Sequence, residues 1–352
     1  MAYFLSQTKS FSMGIRGLHI CIKKTIPDVI TPVVWSSYTN SRIGIDIQCF
    51  LYRAISRGES PLKVIAEQIV YFRKHNINVI YVFDGKPPVE KDSVNDKRFI
   101  ERKDAIDKCA SLRKLLETEC DRLKRESLEK EIHDLEMKYP SLSYEVKDEV
   151  KKFLYATGTM FICANCEADT LLAYWFRRNI IDAVASYDYD FIARGCLLLV
   201  PKQPEWDQWD VYNPITIRRG LGLSESKFMD LCVLMGSDYT PGLPIVPWKS
   251  ALHALQHNEP VDVIWARHTF SNWRQTDMKK KLQLEVDVLT KAKRILGGED
   301  DIPEAMMESI QWDKWNAGSQ DSEPVSLNEF KKAYGNWDND WWQHFQKPVL
   351  SL

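Results

Sequence analysis

The sequence predicts an α/β fold, a mostly parallel central sheet flanked by helices on both faces. Short apolar, β-branched runs recur along the chain, amphipathic stretches of helical length separate them, and acidic residues gather where those runs end. Strands that alternate with helices need crossover connections, which favours parallel pairing with both sheet faces covered.

Residues 1–12 are polar and patternless, and Met13-Gly14-Ile15 reads like a second start, so this extension is expected to be dispensable. Five strands are expected, at Arg42–Ile47, Asn78–Phe83, Met160–Ala164, Ile180–Ser186 and Cys196–Val200. Pro61–Lys74 and Tyr144–Tyr155 carry helical periodicity. Residues 97–138 break the rhythm: Lys, Arg, Glu and Asp crowd a thin apolar stripe (Leu115, Leu116, Leu123, Ile132, Leu135), the pattern of a solvated helical hairpin. After Leu221 a helix runs to Met235, a turn-rich loop spans Gly236–Pro247, and Trp248–Gln256 is helical again. From Gly297 the chain is irregular, and Trp312, Trp315, Trp337, Trp341 and Trp342 read as tail packing rather than base stacking.

With 352 residues, 44% hydrophobic and 27% charged, the chain is long enough for a large core. A formal net charge of −2 provides no general attraction for a polyanion, so nucleic acid must be gripped by local patches. Eight scattered cysteines, no secretory leader and no apolar run near the length of a membrane span point to an intracellular protein. Cys163 and Cys166 form a C-x-x-C without the second pair of a zinc site, and the spacing reads as coincidence.

Four acids stand at strand ends: Asp46 after Ile43-Gly44-Ile45, Asp84 after Val79–Phe83, and Asp188 and Asp190 after Ala183–Ser186. That is where open parallel sheets place their ligands. Singly, each passes as a turn former; together they converge. Glu167 and Asp169 open a helix, where acids are also favoured by the helix dipole. Being i and i+2, they share no helix face, which suggests one direct and one indirect ligand. Two carboxylates about 4 Å apart repel by roughly 4 kcal/mol at an effective dielectric of about 20, so such a cluster calls for a hard divalent cation. No H-E-x-x-H, G-x-S-x-G or phosphate-loop motif competes. Two ions about 3.5 to 4 Å apart would support hydrolysis of a phosphodiester.

Several motifs resemble those of the flap endonucleases and their relatives, the structure-specific 5′ nucleases with a PIN-like fold. Met13-Gly14-Ile15-Arg16-Gly17-Leu18 is similar to that family's amino terminus, Tyr81–Pro88 to its second metal-binding strand, and Cys166-Glu167-Ala168-Asp169 to its S-E-A-E motif. Asp188-Tyr189-Asp190 resembles its D-x-D, and the text from Leu221 to Tyr239 follows it almost residue by residue. The resemblance implies a metal set of Asp46, Asp84, Glu167, Asp169, Asp188, Asp190 and Asp238, holding two Mg²⁺ ions for which Mn²⁺ can substitute. It implies that Lys91 and Arg98 contact the scissile phosphate and that Tyr52 stacks on the adjacent nucleotide. Gly14, Lys97, Arg102, Lys103, Gly236 and Lys249 are the further DNA contacts it implies.

The implied organisation is an N-terminal nuclease region (13–90), a helical arch (91–143), an internal nuclease region (144–256) with a helix-two-turn-helix at about 236–256, and a C-terminal region (257–352). The activity implied is cleavage of DNA at 5′ flaps and single-strand/double-strand junctions, with 5′→3′ exonuclease action, in replication, recombination or repair. An RNA-degrading relative and a catalytically silent scaffold are the competing expectations. Where the family has G-I-G-P-K, this chain has Ile245-Val246-Pro247-Trp248-Lys249, which removes two glycines and one N–H donor and predicts a different duplex grip without the family's potassium site. No sliding-clamp box closes the sequence. A monomer without membrane association is expected, working in the nucleus or at a viral replication site, because the short form resembles the flap-endonuclease-like proteins of large DNA viruses.

Overall fold

The computed structural model describes residues 14–202, 208–240, 245–269 and 278–297. Its strands are β1 (Ile30–Pro32), β2 (Arg42–Asp46), β3 (Asn78–Phe83), β4 (Met160–Cys163), β5 (Ala183–Ala185), β6 (Leu198–Pro201) and β7 (Trp209–Tyr212). The helices are α1 (Leu18–Thr25), α2 (Ile47–Ile55), α3 (Pro61–Lys74), α4 (Asp92–Thr118), α5 (Arg122–Lys138), α6 (Tyr144–Ala156) and α7 (Ala168–Arg177). They continue with α8 (Asp190–Ala193), α9 (Pro214–Gly220), α10 (Glu225–Met235), α11 (Trp248–Gln256), α12 (Val261–Thr269) and α13 (Met278–Gly297).

One seven-stranded sheet runs in the order β1-β7-β6-β5-β2-β3-β4. β2 sits between β5 and β3, parallel to both, and β3 pairs in parallel with β4. Successive residues of a strand face opposite ways. Ile43, Gly44, Ile45 and Asp46 are all buried, as are Val79 to Phe83, so the centre of the sheet is covered on both faces. α7 packs on β2, β3 and β5. α3 starts where the sequence places it because Ser60 accepts the Lys63 N–H and Pro61 occupies the first turn. Such a cap contributes about 1 kcal/mol.

The described residues form two compact units. The larger draws on 32–186 and 199–211 and contains β2 to β5 whole. Its hairpin of α4 and α5 is mostly solvated, with only Ala105, Cys109 and Ile132 buried, and is pinned by the Lys108–Glu131 and Arg113–Glu136 ion pairs. The smaller unit draws on 14–31, 187–198 and 212–297 and is centred on α10. α11, α12 and α13 pack against α10, with Lys293 to Asp230 at 2.6 Å closing the α13 contact.

The structure departs from the sequence reading at the strand ends and in two short strands. The fourth expected strand contracts to Ala183–Ala185 because at Asp182 a side chain takes over the acceptor's place: its N–H still donates to Arg42 O at 2.8 Å, but its carboxylate accepts the Arg42 backbone N–H at 2.8 Å and the Arg42 guanidinium at 2.9 Å. The fifth begins at Leu198 because Gly195 and Cys196 finish the turn of α8, Cys196 N–H donating to Phe191 O. β1 and β7 were not foreseen; three residues ending in proline and four straddling Asp210 carry little strand signal. The extension 1–12 and the tryptophans from Trp312 to Trp342 lie outside the described residues.

Candidate active site

In the larger unit, strand–helix junctions supply the acids. Asp46 is at once the last residue of β2 and the N-cap position of α2, yet its side chain caps nothing. It is 8% exposed, and its Oδ2 accepts the Ser186 hydroxyl at 3.0 Å. A hydrogen bond to a buried charge is worth roughly 1.5 to 3 kcal/mol. Asp84 follows β3, and its carboxylate accepts from Gln48 Nε2 and from the Ala168 backbone N–H at 2.8 Å.

The pairing of β3 with β4 continues beyond the strands to carry these acids together. Gly85 N–H donates to Cys166 O at 2.8 Å, and the approach is so close that a Cβ on Gly85 would lie 1.9 Å from Ala164 O. Only glycine fits there, and it sets Asp84 beside the Cys166-Glu167 segment.

Glu167 is the N-cap of α7 in an extended conformation and Asp169 lies in the first turn; Glu167 makes no capping bond. With Glu167 outside the helix and Asp169 in its first turn, the two acids reach one cation: Lys91 Nζ lies 2.9 Å from Glu167 Oε1 and 3.9 Å from Asp169 Oδ2. Burial, and then the neighbouring Asp169, push the Glu167 carboxyl up to about 7 against the pull of Lys91. Asp84 is raised too, by withdrawal of its carboxyl from water, although the residue keeps a solvent-facing side. Its Ala168 N–H bond, Lys91 and Lys147 oppose that shift.

In the smaller unit, Asp190 opens α8 and is 2% exposed, and its backbone N–H donates to Asp188 Oδ1 at 2.8 Å. Gly14, at φ +80°, presses on both: a Cβ there would lie 2.1 Å from Asp188 Oδ1 and 2.5 Å from Asp190 Oδ1. Asp238 is half-buried in a tight turn in which Ser237 N–H donates to Thr240 Oγ1 at 2.9 Å.

Among the described residues no three His, Cys, Asp or Glu side chains close into a ready-made cation cage. The donor set nevertheless fits hard divalent ions. Every candidate ligand is a carboxylate; burial first, and then the neighbouring carboxylates, displace Asp84 and Glu167 upward, and a cation would offset the second of these.

The other expected residues are scattered. Tyr52 is half-buried beneath Arg102, whose guanidinium lies 5.0 Å from the ring centre. Lys97, Arg98 and Lys103 are exposed on α4. Lys249 is exposed at the start of α11, its Nζ 5.6 Å from the Trp248 ring, and buried Gly236 accepts the Arg16 N–H at 3.0 Å. The sequence reading missed Gln48, Ser186 and Gly85. Gln48 and Ser186 are buried polar residues beside strand ends, a signal visible only once the strands are placed.

Residues 13–106 match the XPG N-terminal domain and residues 158–238 the XPG I-region. Flap endonuclease 1 of Lodderomyces elongisporus is 27% identical over 249 residues, 64% of this chain and 61% of the relative. Flap endonuclease 1 of Ostreococcus tauri is 28% identical over 274 residues, 72% of this chain and 67% of the relative. The chain thus spans about three fifths to two thirds of the length of these relatives. The catalytic core of Rad2 in complex with DNA substrate superposes with a TM-score of 0.55 at 18% identity, covering 94% of this chain and 99% of that one. Flap endonuclease-1 from Methanococcus jannaschii gives 0.53 at 16%, covering 91% and 96%. Human GEN1 in complex with Holliday junction DNA gives 0.51 at 15%, covering 96% and 77%. These structural likenesses establish the fold.

Proposed function

Because this chain belongs to the flap endonuclease family of 5′ nucleases, we propose that it hydrolyses DNA phosphodiesters at 5′ flaps and single-strand/double-strand junctions, with 5′→3′ exonuclease action. The observation that carries this reading is the crowding of Asp84, Glu167 and Asp169 at the ends of β3 and β4 around the ammonium of Lys91. Asp46, Asp188, Asp190 and Asp238 complete the proposed ligand set. Two Mg²⁺ ions held by it would activate a water and stabilise the leaving oxygen.

The chain's own groups do the rest. Lys91 and Arg98 bring positive charge to the phosphate, where charge develops in the transition state. Tyr52 offers a face for the nucleotide beside the cut, and the α4–α5 hairpin forms the arch for the single strand. Lys97, Arg102, Lys103 and Lys249 are backbone contacts that fix register without reading sequence. Pro247, which lacks an N–H, supports a duplex grip different from that of the relatives. A monomer acting where DNA is replicated, recombined or repaired is the corresponding cellular role.

A labelled 5′-flap duplex incubated with the protein and Mg²⁺ tests the reading, beside matched RNA. Cleavage at the flap base, abolished by Asp84→Asn, is expected. Cleavage of RNA alone would move the protein among RNA-degrading relatives, and no cleavage of either would leave a silent scaffold.

A further inference from the structure

The base of the α4–α5 hairpin is tied down by groups that the proposed reaction needs elsewhere. Lys91 ends the short turn Val89–Lys91 and stands just before α4 without a capping bond, and its side chain is only 10% exposed between Glu167 at 2.9 Å and Asp169 at 3.9 Å. Arg102, on the same helix, lies over Tyr52 and donates to its hydroxyl at 3.5 Å.

An exposed lysine gains little from an ion pair. A buried one between two carboxylates is different, because neither side can be left uncompensated. The oxygens that Lys91 occupies are the ones a divalent ion would require, and a monovalent and a divalent cation cannot share them without strong repulsion. The ammonium has three N–H donors, but buried between Glu167 and Asp169 it would have to move outward to turn one of them to a phosphate.

We propose that Lys91 is an internal counterion that competes with divalent metal for Glu167 and Asp169, so that metal loading releases the lysine and loosens the base of the hairpin. The inference rests on the metal-dependent reading above. Linkage makes the effect reciprocal: whatever draws Lys91 away, a bound phosphate above all, raises metal affinity by the same factor. Until both partners arrive, Lys91 offsets part of the negative charge of the carboxylate cluster.

The test is calorimetric titration of Mg²⁺ alone into the full chain, without nucleic acid. Lys91→Met keeps the length and removes the charge; Lys108→Ala, on the outer part of α4, is the control. Lys91→Met should bind Mg²⁺ about tenfold more tightly, within the usual range for coupled sites, and Lys108→Ala should match the parent. Amide hydrogen exchange gives a second readout: the Lys91 N–H, donated to Pro88 O at 3.0 Å, should exchange faster when Mg²⁺ is added to the parent. Parent-like or weaker binding by Lys91→Met, or an unchanged Lys91 amide, overturns the counterion while leaving the nuclease reading in place. No Mg²⁺ binding by either protein overturns both.

Discussion

Replacing Gly14 by alanine should disable the smaller unit's aspartates without unfolding it. The added Cβ would lie 2.1 Å from Asp188 Oδ1, 2.5 Å from Asp190 Oδ1 and 2.8 Å from Asp190 N, where ordinary contact begins near 3.4 Å. The two carboxylates must therefore retreat by about 1 Å. Misplacement of that size at a reacting centre costs about 100-fold in rate. The backbone at φ +80° adds roughly 1 to 2 kcal/mol for any residue with a Cβ. Gly222→Ala separates the two effects, because Gly222 has φ +67° and nothing within 4 Å of its virtual Cβ. Both variants should lose about 1 to 2 kcal/mol of stability, a few degrees in melting temperature, and only Gly14→Ala should lose flap cleavage. The assay is single-turnover cleavage of a labelled 5′ flap, with thermal melts in parallel. Equal cleavage by the two variants would refute the reasoning.

Asp84→Asn combined with Asp188→Asn should reduce cleavage more than about 1,000-fold while circular dichroism and melting stay near the parent's; residual cleavage near the parent rate would count against the metal set. Glu167, raised to about 7 in the folded chain against an ordinary 4.5, binds its proton more tightly folded than unfolded. The stabilisation it contributes is full below about pH 4.5 and is lost as pH rises through about 7, on the order of 1 to 3 kcal/mol. Melts in chelator from pH 5 to 8 should therefore slope downward, and Glu167→Gln should flatten the slope; an unchanged slope in that variant defeats the assignment. Tyr52→Ala should cost roughly 10- to 100-fold in kcat/KM through lost stacking, against little for Tyr52→Phe; equal losses would mean the ring face is not what matters.

How much could be read from the chain alone divides along physical lines. Arg42–Asp46, Asn78–Phe83, Pro61–Lys74 and Trp248–Gln256 were visible because local pattern and burial agree there. The strand-end placement of Asp46 and Asp84 followed from the same runs. β1 and β7 escaped because each is too short to show a period, and their role at the sheet edge is decided by pairing rather than by propensity. The full extent of Ile180–Ser186 was misjudged for a different reason: Asp182 takes a tertiary partner, Arg42, 140 residues away, and no local rule foresees that competition.

Charge balance is the property a linear reading handles worst, and Glu167 shows why. Its sequence position said helix start, and the helix dipole gave it an ordinary reason to be there. In the fold that role goes unused: the side chain caps nothing and turns to Lys91, which lies 76 positions earlier and reads locally as a solvated lysine before a charged helix. Tyr52 and Arg102 repeat the case, an aromatic on one helix covered by a guanidinium from another. In each pair a residue implicated in substrate contact already has a partner on another element. Groups that must bind a polyanion and hard cations carry charges that the free chain has to neutralise internally. The energetic question at this site is therefore one of exchange, internal partners for external ones, and the difference between those two sets of contacts is what the Lys91→Met titration measures.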